Sequence, residues 1–517
     1  MKKKCFIPSK TWDLHCLMVD GMKLRLKRIG IDTHRENVAF LARDDLTGRS
    51  LGLHPMDRVE ISANARRLVA VLNIVEGNVL PVGAIGLSTE AFDKLGVADG
   101  SLVDVAPAEA PESLDLLHNK LAGQPLNSND FERIVDDIVQ GRYSKVELTA
   151  FVVSATINGL NNDETMWLTE AMIKDGDQLK FDSAIVADKH SIGGVPGNRT
   201  TPIITSIAAA AGLLIPKTSS RSVTSPAGTA DTVETLMNVE LQAERIYDIV
   251  KKENGCLAWG GAVNLAPADD MIIQIEHALN IDAQSLMISS ILAKKKAAGA
   301  THVILDIPVG HGTKAETTEI GRSLKERFQN LGLRLGLNIR VLLTDGSQPI
   351  GNGIGPALEA MDVIKVLTND PNAPMDLREK SLYLAGELLE LTAKSIQGQG
   401  RSTAQQILAS GKALEKFGRI RTLQGRHEIP ALGSHTKDVL AERNGQLRTI
   451  DNRIVSRVAQ LAGAPHNPGA GVYLAKHVND VVDKGQLLLR IFAESDESLT
   501  FAARYWVENS RAAIVMS

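Results

Sequence analysis

The sequence is poor in several features that would each point to a function. Only 4% of its 517 residues are aromatic, and single-stranded nucleic acids are bound largely by stacking bases on such rings. There are three cysteines, Cys5, Cys16 and Cys256. An odd number at no metal-ligand spacing argues against both a disulfide framework and a zinc site. Neither sign of charge dominates: 57 Lys and Arg stand against 61 Asp and Glu, a formal net charge of −4. A binder of nucleic-acid backbones needs a surplus of cations on one face. Long apolar runs are missing too. The longest, Pro202 to Pro216, is 15 residues with Thr205 and Ser206 inside it, short of the roughly 18 that cross a membrane. Met1-Lys-Lys-Lys-Cys5 begins like a signal peptide, but Lys10, Asp13 and His15 interrupt any apolar region behind it. The expectation is a cytoplasmic protein that binds neither nucleic acid nor membrane.

What is present is apolar mass and a changing pattern. Hydrophobic residues make up 44% of the chain, enough for about three domain cores of ordinary size. Residues 1–106 read as a β-rich domain, with short alternating runs such as Met22 to Arg28, Val38 to Ala42 and Leu68 to Val75. Ala106-Pro-Ala-Glu-Ala-Pro111 has two prolines and no periodicity, a linker signal. Residues 112–178 read as helical, with helices after Asn127, over Ser144 to Leu160 and over Asn162 to Asp175. Residues 179–425 alternate strand, Gly-rich loop and helix: Ser183 to Ala187 before a helix from Thr201 to Leu214, His302 to Ile307 before a helix from Lys314, and Arg340 to Thr344 before a helix from about Ala357. That repetition predicts an α/β domain with a mainly parallel sheet and ligands at the carboxyl ends of its strands. Residues 426–517 read as a small α+β domain, with a hairpin-like pattern from Asp480 to Ile491.

Three stretches carry chemistry. Asp188-Lys-His-Ser-Ile-Gly-Gly-Val-Pro-Gly-Asn-Arg-Thr-Thr201 closes a strand and opens a helix. Its glycines admit close approach of backbone to an anion, the helix start offers free N–H groups, and Lys189, Ser191 and Thr200 add a charge and two hydroxyls. A strand-to-helix turn that merely needs glycine has the same look, and the stretch matches neither the P-loop nor Gly-x-Gly-x-x-Gly. Lys217 to Thr229 holds seven hydroxyl residues in thirteen positions together with Arg221; such a loop suits oxyanion or sugar recognition, or is simply solvated. Between Ile281 and Lys296, Ser290 and Lys294 are four apart on one helix face, and Asp282 precedes that helix as a candidate acid or base. By itself, a lysine run at a helix end reads as a solvated complement to the helix dipole. His190 by itself is as much a structural hydrogen-bonder as a catalyst.

Together these stretches resemble the thymidine phosphorylase family of nucleoside phosphorylases. The order is Lys-His-Ser-x-Gly-Gly-Val, then Ser219, Arg221, Thr229, Asp231 and Glu234 at the family spacing, then Ser-Ile-Leu-Ala-Lys-Lys. The N-terminal β-rich extension and Asn264 to Asp270 resemble the longer branch, which includes the archaeal AMP phosphorylases. The resemblance extends over nearly the whole chain, Gln348-Pro-Ile-Gly and the C-terminal domain included. It implies that Lys189, Ser191, Thr200, Ser219 and Thr229 hold phosphate, that Ser290 and Lys294 hold the base, and that His190 matches the catalytic histidine. On the AMP phosphorylase pattern, Gly194, Ser220, Arg221, Ser222, Val223, Thr224, Ser225, Thr229, Ser290 and Lys314 contact the nucleotide, and Asp282 is the proton donor. Where thymidine phosphorylases place an arginine on the base, this chain has Ile275.

The implied reaction is phosphorolysis of the N-glycosidic bond of a nucleoside or a nucleoside 5′-monophosphate. It uses inorganic phosphate as co-substrate and neither cofactor nor metal, in a homodimer or larger homo-oligomer whose cleft closes on the ligand. A 5′-phosphate would need a second anion site, for which Arg221 and Lys314 are the candidates. Two alternatives stand beside it: a phosphoribosyltransferase using phosphoribosyl pyrophosphate, which would call for Mg²⁺ and an acidic site, and a binding protein without activity.

Overall fold

The computed structural model describes residues 22–33, 36–47, 53–222 and 225–517. The chain forms two compact units, one of residues up to 117 with 136–148, the other of 118–135 with 149–517. The helical stretch is thus shared between them, through the helices Ser128–Val139 and Lys145–Ile157.

In the first unit six strands close into a barrel: β1 (Met22–Arg28), β2 (Val38–Ala42), β3 (Arg58–Ala63), β4 (Arg66–Val75), β5 (Ala84–Leu87) and β6 (Leu102–Pro107), in the order β1-β5-β2-β4-β3-β6. Alternation dictates it. Leu24 and Leu26, Val59 and Ile61, and Val103 and Val105 point inward and are almost wholly buried, while their chain neighbours are more accessible. Each such aliphatic side chain contributes about 1.5–3 kcal/mol by leaving water. The expected linker begins inside β6, which runs to Pro107.

The second unit is built on parallel strands: β7 (Ala187–Ser191), β8 (Ile215–Ser219), β9 (Gly255–Trp259), β10 (His302–Val309) and β11 (Asn338–Asp345). The order β11-β10-β7 and the pair β8-β9 are parallel throughout. A bridge between Val186 and Leu214 joins the two groups. All the carboxyl ends therefore face the same way. Residues of β10 pack into two different cores. Ile304 joins a cluster with Ile203, Ile207, Leu388 and Phe417, whereas Leu305 and Ile307 join one with Ile288, Leu292 and Phe328. A strand covered on both faces needs the near-continuous apolar run that β10 has.

The helix boundaries shift from the sequence expectation for local reasons. The helix after β7 is Thr200–Ala210, stopped by Gly212 at φ +78° rather than continuing to Leu214. The helix after β10 begins at Thr318, not Lys314, because Thr317 caps it by accepting from the Ile320 N–H at 3.3 Å. β7 begins at Ala187, so Ser183 to Val186 lead into the strand rather than form it.

At the C-terminal end, β12 (Gly353–Ile354), β13 (His435–Leu440), β15 (Gly471–Leu474) and β17 (Leu487–Ala493) form one sheet. β14 (Gly445–Ile450), β16 (Val481–Val482) and β18 (Ile514–Met516) form another. The expected hairpin is absent: β16 pairs with β14, and β17 pairs with β13 and β15. β12 pairs with β15, so the loop after β11 is held by the C-terminal sheet.

Two glycines show how tightly the Gly-rich loop after β7 is fitted. Gly197 lies at φ +74°, and a Cβ there would be 2.0 Å from the Ile350 carbonyl oxygen. Gly193 lies at φ +91° with open space where its Cβ would be. Both substitutions to Ala carry the left-handed penalty of about 1–2 kcal/mol, but only Gly197→Ala must displace backbone. Thermal unfolding should show a clearly larger loss of Tm for Gly197→Ala than for Gly193→Ala; equal losses would contradict the packing described.

Candidate active site

The first group sits at the end of β7. Lys189 is 1% exposed, and its ammonium donates to Thr200 Oγ1 at 2.9 Å. Burial lowers its pKa to about 8, against the pull of Asp306. Thr200 is the first residue of its helix, whose N-terminus no side chain caps, so backbone N–H groups remain available beside the ammonium. Behind Lys189, the Asp188 carboxylate is buried between Lys295 at 2.6 Å and Lys217 at 3.4 Å. Burial pushes Lys217 down to about 7 despite that partner. His190 is held well below its ordinary pKa by burial and then by Lys295, Lys217, Lys189 and Lys294. Its imidazole is neutral at pH 7, with one donor and one acceptor nitrogen.

The Gly-rich loop is braced from two sides. A Cβ at Gly194 would lie 2.8 Å from Thr313 Cα, so this glycine is required by packing against the loop after β10. Ser191 Oγ donates to Asp306 Oδ2 at 3.0 Å, and Thr344 Oγ1 donates to Asp306 Oδ1 at 2.5 Å. The wholly buried Asp306 thus ties together the ends of β7, β10 and β11, with Lys380 3.3 Å away. Arg199 pairs with the buried Glu359, which also accepts from Thr232 Oγ1 at 2.7 Å.

The hydroxyl-rich loop after β8 is organised by Asp231, whose Oδ2 accepts from the N–H groups of Ser222 at 2.7 Å and Gly228 at 2.8 Å. Ser222 and Ser225 turn their hydroxyls onto carbonyls of their own loop, those of Ser225 and Ala227. Ser219 and Thr229 are half-buried and Ser220 is exposed. Val223 and Thr224 lie outside the described residues. Arg221 is not free: it pairs with Glu234 at 2.8 Å and Glu240 at 3.1 Å, and stacks 4.8 Å from the Trp259 ring centre.

The helices Pro267–Leu279 and Gln284–Ala297 bring carboxylates to the lysines. Ser290 Oγ donates to Asp269 at 2.8 Å. Lys294 bridges Asp269 at 2.7 Å and Asp270 at 2.9 Å. Burial works against the Lys294 charge, but these two carboxylates outweigh it and hold its pKa above the ordinary lysine value. Asp282, half exposed, pairs with Lys314 at 2.9 Å. Glu276, which the sequence reading missed, is pushed up to about 7 by burial and by Asp269 and Asp282. A carboxyl group that titrates near neutrality suits proton transfer. Its seven-residue spacing from Asp269 was the available signal. The lysine run is not solvated as a whole, since Lys295 is buried against Asp188.

Family profiles match three segments of the chain. The profile described as "Glycosyl transferase family, a/b domain" matches residues 183–414. "Glycosyl transferase family, helical bundle domain" matches 114–176, and "Pyrimidine nucleoside phosphorylase C-terminal domain" matches 446–512. Proteins named "Putative thymidine phosphorylase" from Methylococcus capsulatus and Albidiferax ferrireducens are each 47% identical over 485 residues. These alignments cover 93% of this chain, with 94% of the first relative and 93% of the second. One from Legionella pneumophila strain Corby is 44% identical over 479 residues, 93% of each chain. Among solved structures, anthranilate phosphoribosyltransferase from Thermus thermophilus superposes with a TM-score of 0.50 at 18% identity, covering 60% of this chain and 99% of its own. At that identity it shows a shared fold. Among the described residues no helix is long and apolar enough to cross a membrane.

Asp188 is the counterion on which the lysines depend. Asp188→Asn leaves two buried ammonium groups without it and should cost about 3–5 kcal/mol, read as a lower Tm; an unchanged midpoint would contradict the arrangement.

Proposed function

The chain belongs to the thymidine phosphorylase family, and from that footing we propose that it is a pentosyltransferase that cleaves the N-glycosidic bond of a nucleoside with inorganic phosphate. The observation that carries this reading is the buried Lys189 ammonium beside the uncapped N-terminus of the helix Thr200–Ala210. Lys189, Ser191, Thr200, Ser219 and Thr229 hold the phosphate, which attacks C1′ as the bond to the base breaks and the electron pair leaves with the base. Charge-assisted hydrogen bonds from a preorganised, dehydrated site stabilise the anion and align it for attack. Ser290 and Lys294 orient the base.

The leaving base needs a proton. His190, neutral at pH 7, can hydrogen-bond a base carbonyl but has no proton to give as an imidazolium. In this reading Glu276, about half protonated at neutral pH, gives the proton, and the neighbouring Asp282 charge helps to keep that proton on it. A nucleoside is favoured over its 5′-monophosphate by a specific observation. Both cations expected to hold a 5′-phosphate are already matched, Arg221 by Glu234 and Glu240, and Lys314 by Asp282.

The test is release of free base, followed by chromatography, from thymidine, uridine, cytidine, AMP, CMP and UMP with phosphate, with and without EDTA. Release from at least one nucleoside is expected. No base from any compound overturns the reading, and release from the monophosphates alone moves it to nucleotides. Loss of one charge-assisted hydrogen bond of about 1.5–3 kcal/mol should raise the phosphate KM of Lys189→Ala by roughly 10- to 100-fold. Asp282→Asn should lower kcat more than His190→Ala does.

A further inference from the structure

The hydrogen bonds within the Gly-rich loop specify more than a negative charge. A serine hydroxyl has one proton to donate and two lone pairs to accept with. Ser191 spends its proton on Asp306 Oδ2 at 3.0 Å, an acceptor-only carboxylate, and one lone pair on Asn198 Nδ2 at 3.3 Å. What it has left is one lone pair. Asn198 is 6% exposed, and its Oδ1, also an acceptor, is buried with no partner. Asp306 stays an acceptor, because burial against its charge is outweighed by Lys380 and Lys189, which hold it below the ordinary carboxylate range. Cations are at hand as well: the Lys380 ammonium is buried with no hydrogen bond, 3.3 Å from Asp306, and Lys189 is close by. The loop thus has positive groups to match a charge, and two acceptors, a half-buried one on Ser191 and a buried one on Asn198, that only a donor can satisfy. Leaving the buried Asn198 oxygen unpaired costs about 1–3 kcal/mol.

Resting on the reading that this loop holds the co-substrate, we infer that Asp306 is a positioning residue that makes Ser191 an acceptor and thereby selects an oxyanion bearing a proton, hydrogen phosphate or hydrogen arsenate, over sulfate. At neutral pH hydrogen phosphate and sulfate have similar size and the same double charge, but only the first carries an O–H to donate. Sulfate would set a lone pair against the lone pair of Ser191. The same carboxylate thus fixes Ser191 and reads the protonation state of the ligand.

The test uses the full chain and direct calorimetric titration with phosphate, arsenate and sulfate at pH 7.5 and equal ionic strength. Phosphate and arsenate should bind at least tenfold more tightly than sulfate. Phosphate and sulfate binding equally well overturns this inference and leaves the phosphorylase reading standing; no phosphate binding, with no base released, removes that reading and this inference with it. In Asp306→Asn the amide can donate to Ser191 and free its proton for the ligand, so the preference for phosphate over sulfate should shrink by at least fivefold. A variant that folds and keeps the wild-type ratio overturns the inference. If Asp306→Asn does not fold, Ser191→Ala serves in its place: it removes the oriented acceptor and should reduce the same ratio, and an unchanged ratio again overturns it.

Discussion

Lysines buried with too few carboxylates are the constraint around which the second unit is arranged. Lys189, Lys217, Lys295 and Lys380 lie within reach of Asp188 and Asp306, and all but Lys380 are almost wholly buried. Four ammonium groups against two carboxylates is a deficit of negative charge in a dry interior, where each uncompensated ion costs several kcal/mol. The lowered pKa values of Lys189 and Lys217, about 8 and about 7, register that cost. On the proposed function, an oxyanion bound there would supply the missing charge.

The fold makes this tolerable by fixing the groups. Parallel strands put the ends of β7, β8, β10 and β11 on one side, where the loops converge. Gly194 and Gly197 let the Gly-rich loop press against the backbone of its neighbours at Thr313 and Ile350. The C-terminal sheet contributes as well: β15 pairs with β12, and Asn452 Nδ2 donates to the carbonyl of Gly346 at 2.8 Å and of His311 at 3.2 Å. The loops that would hold a ligand are therefore braced by a part of the chain more than a hundred residues away. Ser290 and Lys294, proposed to orient the base, are held by Asp269 and Asp270.

Much of this was legible in the chain. Alternation along β1, β3 and β6 revealed a β-rich first unit, and the strand, Gly-rich loop and helix repeats revealed the parallel layer. The grouping of Lys189 with Thr200, and of Ser290 with Lys294, followed from local spacing. What escaped was set by long-range contact. Nothing near Asp306 in sequence indicates that Ser191 and Thr344 donate to it. Lys295 reads as one of three solvated lysines until Asp188, more than a hundred residues earlier, is seen to bury it. Arg221 looked like a free cation in a hydroxyl-rich loop, yet Glu234 and Glu240 on following segments neutralise it. The pairing of β16 with β14 was likewise invisible, because a turn at Lys484-Gly485 suggests a hairpin whichever strands are its neighbours.

The group around Lys189 carries more positive than negative charge, and burial brings Lys189 near its titration point. The most direct measurement is the proton balance of phosphate binding, from calorimetry in buffers of different ionisation enthalpy at pH 6 and pH 8. Phosphate binding should draw protons onto the protein at pH 8, where Lys189 is partly neutral, and this uptake should vanish towards pH 6, where the lysine is already charged. Saturable phosphate binding with no proton uptake at pH 8 would contradict this charge imbalance.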